Sequence, residues 1–336
     1  MPAPDPTRRP PRVTVKPVFP DATPIDRLSA NPFLDDVLAG LAKPQKELPA
    51  KYFYDAAGSE LFEAITRLPE YYPTRTELSI LDAAGPEIAA HLPRPCALVE
   101  FGAGATTKLR RLLPHLAPLG AYVPVDVSAE FLEEQAEALR ADFPSLRVEP
   151  VAADFTRAFP LPGDLDGMTK AGFFPGSTIG NFEPAEAGRL LARFAEVLGA
   201  GARLIVGVDL VKETPVLEAA YDDAAGVTGR FNLNLVTRMQ RELGLTLDGS
   251  GFTHRALFNP DASRIEMHLV SRAEQTVSVG GRRFSFASGE TIHTENSYKY
   301  TLDGFRALAA GAGWQPLQVW TDPAGLFSVH ALAVGS

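Results

Sequence analysis

The run Ala97-Leu98-Val99-Glu100-Phe101-Gly102-Ala103-Gly104 decides how this sequence folds. Its first five residues form a short, mostly apolar stretch, the pattern of a strand buried in a parallel sheet. Its last three form a Gly-x-Gly turn, where missing side chains let the backbone approach a ligand at the carboxyl edge of such a sheet. Lys108 to His115 then shows helical spacing. Strand, glycine turn and helix in that order open a doubly wound α/β unit.

The same rhythm continues outward. Strands are expected at Ala121 to Val127, Arg147 to Ala152, Phe173 to Ile179 and Arg203 to Leu210, with helices at Ala129 to Phe143, opened by Ser128 as N-cap, and at Pro184 to Leu198. Strands alternating with helices imply a parallel sheet wound by right-handed crossovers. A long segment, 212–298, then intervenes with helical stretches and the alternating run Gln275 to Phe286. A helix at Leu302 to Ala312 follows, then strands at Leu317 to Thr321 and Leu326 to Val334, separated by the turn residues Asp322-Pro323-Ala324-Gly325. Upstream, Phe33, Leu34, Val37, Leu38 and Leu41, then Leu61, Phe62, Ile65 and Leu68, recur at helical spacing. Met1 to Pro20 is rich in proline and arginine and reads as an extended arm, with folded structure expected from about Asp26.

Of the 336 residues, 45% are hydrophobic and 22% charged, enough apolar material for a large core. A formal charge of −9 argues against nucleic acid as a partner and favours a small molecule. Cys96 is the only cysteine, which fits a reducing compartment, and the six histidines show no metal-ligand spacing. No apolar stretch is long enough for a membrane span or a signal core. A cytoplasmic monomer without metal or membrane contacts is the expectation.

Asp126 ends the second strand, where an acid accepts hydrogen bonds from both ribose hydroxyls of an adenosine moiety. At the end of the third, Asp154-Phe155 offers an acceptor for an adenine amino group and a ring beside the base. Three neighbouring strand ends thus outline a nucleoside site. The plainer alternatives are a tight turn that binds nothing and a helix-capping Asp126. Ala105-Thr106-Thr107-Lys108 after Gly104 does not complete the dinucleotide glycine pattern, and no Gly-x-x-x-x-Gly-Lys-Ser/Thr loop is present. That favours S-adenosylmethionine (SAM), with S-adenosylhomocysteine (SAH) as its product. A five-strand doubly wound core closed by a hairpin is the pattern of Rossmann-like class I methyltransferases.

Longer strings carry a closer likeness: Lys51-Tyr52-Phe53-Tyr54-Asp55, Gly58-Ser59-Glu60-Leu61-Phe62, Ile65 through Arg75, Gly176-Ser177-Thr178-Ile179-Gly180-Asn181 and Arg264-Ile265-Glu266-Met267. On these the chain resembles the ergothioneine-biosynthetic L-histidine Nα-methyltransferases, over about Leu48 to Val334. The resemblance implies conversion of free L-histidine to its trimethylated betaine, hercynine, through mono- and dimethyl forms. It implies cofactor contacts at Tyr54, Gly102, Gly104, Lys108, Asp126, Asp154 and Phe155. It implies substrate contacts at Tyr71, Gly176, Asn181 and Tyr221 for the carboxylate and amine, Glu295 and Ser297 for the imidazole, and Met267 on the ring wall, with Tyr54 and Asn181 catalytic. The insertion after the fifth strand, taken with the N-terminal helices, leads to an expectation of two domains, a substrate-binding α+β domain (26–74 with 212–298) and a SAM-binding domain (75–211 with 299–336), behind an arm at 1–25. Phe101, the loop from Ala103 to Thr107, and Phe182 after Asn181 depart from the family's pattern.

Methyl transfer to an amine is an in-line displacement at a sulfonium carbon, so the site must align a neutral nitrogen and exclude water. Tyr and Asn donors hold a carboxylate without placing an Arg cation beside a cationic reaction centre. Glu295 and Ser297, two apart, share one side of an extended segment. Without the resemblance, Tyr54, Tyr71 and Tyr72 read as packing residues, Met267 as core, and Glu295 and Ser297 as a solvated strand. Two other functions stay open at this level: methylation of another amino acid or amine, and a nucleoside-binding regulator without turnover.

Overall fold

The computed structural model describes residues 31–335 apart from 117, 166 and 250, so the expected arm lies outside the described residues. Helix α1 (Pro32–Leu41) starts where Asn31 Oδ1 accepts the Leu34 N–H and Pro32 occupies the first turn. Strand β1 (Lys46–Glu47) follows, then a 3₁₀ turn (Ala50–Phe53), α2 (Ala56–Ile65) capped by Asp55 through the Gly58 N–H, and the long α3 (Tyr72–Ala90).

The predicted sheet begins next. Strands β2 (Ala97–Phe101), β3 (Ala121–Asp126), β4 (Val151–Ala152), β5 (Lys170–Phe174) and β6 (Arg203–Asp209) alternate with α4 (Thr107–Leu112), α5 (Ala129–Asp142) and α6 (Pro184–Leu198). Two expectations are corrected here. Of Arg147 to Ala152 only the last two residues join the ladder, with a single bridge from Val148 to Tyr122. The fourth strand ends at Phe174, not Ile179, because the chain breaks at Pro175-Gly176 and Thr178–Asn181 coils into a 3₁₀ turn. Ser128 takes the N-cap position of α5, yet its side chain does not cap; its N–H instead bonds Asp126 Oδ1 at 3.1 Å.

The segment 212–298 builds α7 (Thr214–Tyr221), α8 (Val227–Leu243) and strands β7 (Thr246–Leu247), β8 (Phe252–Asn259), β9 (Arg264–Ser271), β10 (Gln275–Val279), β11 (Arg282–Phe286) and β12 (Thr291–Tyr298). Its sheet runs β1-β12-β9-β8, and the alternating run Gln275 to Phe286 forms the hairpin β10-β11. The sequence reading found that alternating run, without its turn, but not β8, β9 and β12, whose mixed polarity conceals their period. Their inner face (Ile265, Met267, Leu269 and Ile292) packs with Phe231 and Leu235 of α8 and Tyr52, Phe53 and Tyr71 from the N-terminal segment.

Helix α9 (Leu302–Gly311), capped by Thr301, leads into β13 (Trp314–Thr321) and β14 (Phe327–Val334). Asp322 closes their turn by accepting the N–H groups of Ala324, Leu326 and Phe327. The sheet order is β13-β14-β6-β5-β2-β3-β4, parallel except that β14 runs against both neighbours. The strand order reverses between β2 and β5, so a crevice opens at their carboxyl ends.

Candidate active site

At that crevice Gly102 adopts φ +72°, and a Cβ placed there would lie 3.3 Å from the Phe155 ring. The backbone and ring thus form a cradle that any side chain at 102 would fill. Gly104 faces open space. Asp126, at the end of β3, has its carboxyl raised by burial, against the pull of the Ser128 and Val127 N–H groups. Asp154 accepts the Thr156 N–H at 2.9 Å, and Phe155 packs edge-on against Phe174 and Phe182. These groups fit a SAM nucleoside: two acids at adjacent strand ends and an aromatic wall. When bound, SAM supplies an electrophilic methyl group.

Lys108 Nζ pairs at 2.7 Å with Glu77, a residue of α3 that is only 1% exposed. The same carboxylate accepts the Gly176 N–H at 2.9 and 3.0 Å, so what Gly176 has left to offer a ligand is its carbonyl and its lack of a side chain. Beside them Glu100, buried and bonded by the Tyr122 hydroxyl at 2.7 Å, is pushed by burial to about 7.

Tyr54, Phe62, Ile65, Tyr71, Ala220, Tyr221, Thr228, Phe231 and Glu295 line a narrow cleft. Four of the expected site residues therefore meet in one place although they lie on four segments. Tyr54 ends the 3₁₀ turn Ala50–Phe53 and packs edge-on to Phe62 and Phe231. Tyr71 sits at the start of α3 with its ring 6.1 Å from that of Tyr221. Although Tyr54 as a whole is 44% exposed, the protein packed around its hydroxyl, and then the nearby Glu295 carboxylate, hold the phenol above its usual ionisation. Burial pushes Glu295 to about 7, with Lys299 opposing.

Register explains the Glu295 wall. In the antiparallel pair of β12 and β9, Glu295 lies across from Met267 and Ser297 across from Ile265, after a bulge between His293 and Glu295. Met267 is thus a core residue placed beside the cleft's carboxylate. The 3₁₀ turn carrying Asn181 is drawn against β12, because Gly180 lies so close to Tyr298 that a Cβ would meet its carbonyl at 2.8 Å.

Behind the cleft lies a network that the sequence reading did not find. Ser297 Oγ and the Tyr221 hydroxyl are 2.7 Å apart, and Lys299 Nζ donates to both, at 2.7 and 3.0 Å, and to Asp209 at 2.7 Å. Asp209 also receives the Tyr72 hydroxyl and Lys212. Burial alone would raise the Asp209 carboxyl; the Lys299 and Lys212 ammoniums outweigh it and hold it low. Lys212 is drawn down to about 8 by burial. The expectation of a carboxylate grip with no fixed cation nearby is therefore amended: an ammonium stands one hydrogen bond behind it. Asp209 closes a predicted strand, which was the available signal; nothing marked Lys299 or Glu77.

Register also gathers Glu266, His268 and His293, whose candidate ligand atoms fall within 4.8 Å, although the histidines read as scattered along the chain. Asn259 and Arg264 already bond Glu266, and the two imidazoles stack at 4.8 Å. By strand alternation this patch faces away from Met267 and Glu295. A larger surface recess, lined by Pro93 to Pro95 and Gly167 to Thr169, lies at the amino ends of β2 and β5, remote from the crevice. No helix among the described residues is long and apolar enough to cross a membrane.

Comparison with known proteins places the chain in a family. The chain is 43% identical over 305 residues to a histidine N-alpha-methyltransferase of Mycolicibacterium smegmatis, covering 89% of this chain and 94% of that one. It is 27% identical over 342 residues to the ergothioneine biosynthesis protein 1 of Neurospora crassa, covering 93% of this chain and 36% of that protein. Among solved structures, the CcbJ methyltransferase of Streptomyces caelestis aligns with a TM-score of 0.43 at 17% identity, over 75% of this chain and 95% of that one. Residues 33–334 match the family described as histidine-specific, SAM-dependent methyltransferases, and the chain belongs to that family.

Proposed function

We propose that the protein methylates the α-amine of L-histidine three times, passing through the mono- and dimethyl forms to hercynine, a step of ergothioneine biosynthesis. The observation that carries this reading is the cleft in which Tyr54, Tyr71, Tyr221 and Glu295 converge. Three phenols supply directional hydrogen bonds, and one carboxylate accepts an imidazole N–H. In each round the nitrogen lone pair forms the new C–N bond as the C–S bond breaks and its electron pair goes to sulfur. Starting from the ammonium form, three protons are lost over three rounds.

In this reading Tyr54 lies beside the reacting nitrogen, and Tyr71, Asn181, Tyr221 and the Gly176 backbone hold the carboxylate and amine. Glu295, Ser297 and Met267 take the ring, while Gly102, Gly104, Lys108, Asp126, Asp154 and Phe155 hold the cofactor. The N-terminal segment together with 212–298 forms the acceptor side; the seven-stranded sheet forms the donor side. We also place the protein in the cytoplasm as a monomer, a reading supported by its single, buried cysteine.

The test is mass spectrometry of L-histidine incubated with the purified protein and SAM. A species heavier by three methyl groups is expected; if none forms while another amine in a panel is methylated, the acceptor assignment fails.

A further inference from the structure

The buried hydrogen-bonded group behind the cleft holds two ammoniums and one carboxylate, with Asp322 acting on Lys212 and Glu295 facing Lys299 from outside it. Lys212 and Lys299 are two ammoniums on a single carboxylate, Asp209, with Lys299 and Asp209 fully buried. Lysine has three N–H donors and no acceptor. Lys299 commits all three to Asp209, Tyr221 and Ser297, leaving none for Glu295, the cleft's own carboxylate. Both hydroxyls accept from Lys299 and bond each other at 2.7 Å; with Ser297 donating to Tyr221, the Tyr221 proton is the one left for a ligand, while Lys299 also attracts Glu295 directly. A hydroxyl that accepts from a cation becomes a stronger donor on its other side. The ligand group that completes this arrangement is an anion.

We propose that Lys299 is a positioning and specificity-determining residue that, acting through Tyr221, makes the cleft select acceptors with a free carboxylate. The proposal rests on the acceptor site described above and deepens it. It accounts for a fully buried lysine within one bond of a site whose reaction moves a positive charge from sulfur to nitrogen: an amino-acid carboxylate takes the strengthened Tyr221 donor, whereas an amide or decarboxylated analogue offers it no charged acceptor.

The experiment compares L-histidine with L-histidinamide, bound to the SAH-saturated protein by isothermal titration calorimetry, in the wild type and in Lys299→Met. The variant leaves Asp209 paired with Lys212 alone, a neutral pair. The wild type is expected to prefer histidine by about tenfold or more, the scale of a hydrogen bond to a charged group. Lys299→Met is expected to lose most of that preference, with histidinamide and SAH affinities nearly unchanged. Equal weakening of both amino-acid ligands would mean general damage and overturn the proposal. If the Met variant does not fold, Lys299→Gln, a shorter neutral donor, is put through the same comparison with the same two outcomes. Failure of the wild type to bind histidine at all would instead overturn the substrate assignment, and this inference with it.

Discussion

The Glu77 carboxylate occupies the space that a side chain at Gly207 would need: a Cβ there would lie 2.1 Å from Glu77 Oε1. Strand β6 thus leaves room for an acid from α3 to reach both Lys108 and the Gly176 N–H. Gly207→Ala is expected to displace Glu77 and destabilise the protein by about 3 kcal/mol or more, since it combines overpacking with disruption of a buried pair. Urea unfolding checks this. A loss below about 0.5 kcal/mol would show that the carboxylate moves at little cost.

Glu295 should govern histidine binding and leave the cofactor largely alone. A hydrogen bond to a charged group contributes roughly 1.5–3 kcal/mol, so Glu295→Ala is expected to weaken histidine about tenfold or more. Calorimetry with SAH and with histidine separates the two; similar losses for both ligands would refute the division.

The same residue makes a pH prediction. Burial raises its folded pKa to about 7, above an unfolded value near 4.3. Its contribution to stability is therefore complete below the unfolded value and is lost as pH rises through about 7. Glu100, also pushed to about 7 by burial, contributes in the same direction. The ligand-free protein should melt at lower temperature at pH 8 than at pH 5.5, and Glu295→Gln should reduce that difference. Parallel curves for variant and wild type would count against it.

At Gly102, φ is +72° and the Phe155 ring stands 3.3 Å from an added Cβ. Gly102→Ala must strain the backbone, at about 1–3 kcal/mol, and push the ring. SAH affinity is expected to fall tenfold or more, with histidine affinity in SAH-saturated protein less affected. Unchanged SAH binding in the folded variant would place the cofactor elsewhere.

Tyr72, which read as a packing residue, donates to Asp209 and accepts from Lys212. Tyr72→Phe should cost about 1–3 kcal/mol by leaving both buried charges short of a partner, measured as a shift in the urea midpoint. A neutral outcome would mean that Lys212 and Lys299 suffice to hold Asp209.

The central sheet was legible in the chain because both faces of a parallel strand are covered, so each strand shows as an apolar run: β2 and β6 fell where the runs did, and the glycine turn and Asp126 followed from their place at strand ends. Helix α6 was legible from its proline start and helical period. The strands β8, β9 and β12 were not, because their polar outer faces and the bulge before Glu295 blur the alternation. Family likeness in the sequence named Tyr54, Tyr71, Tyr221 and Glu295. Only folding, which brings four distant segments to one cleft, set Lys299, Asp209 and Glu77 behind them. A buried charge is tolerated only where partners surround it, and for Lys299 and Glu77 the charged partners, Asp209 and Lys108, are distant in sequence, so that condition is written in tertiary contacts.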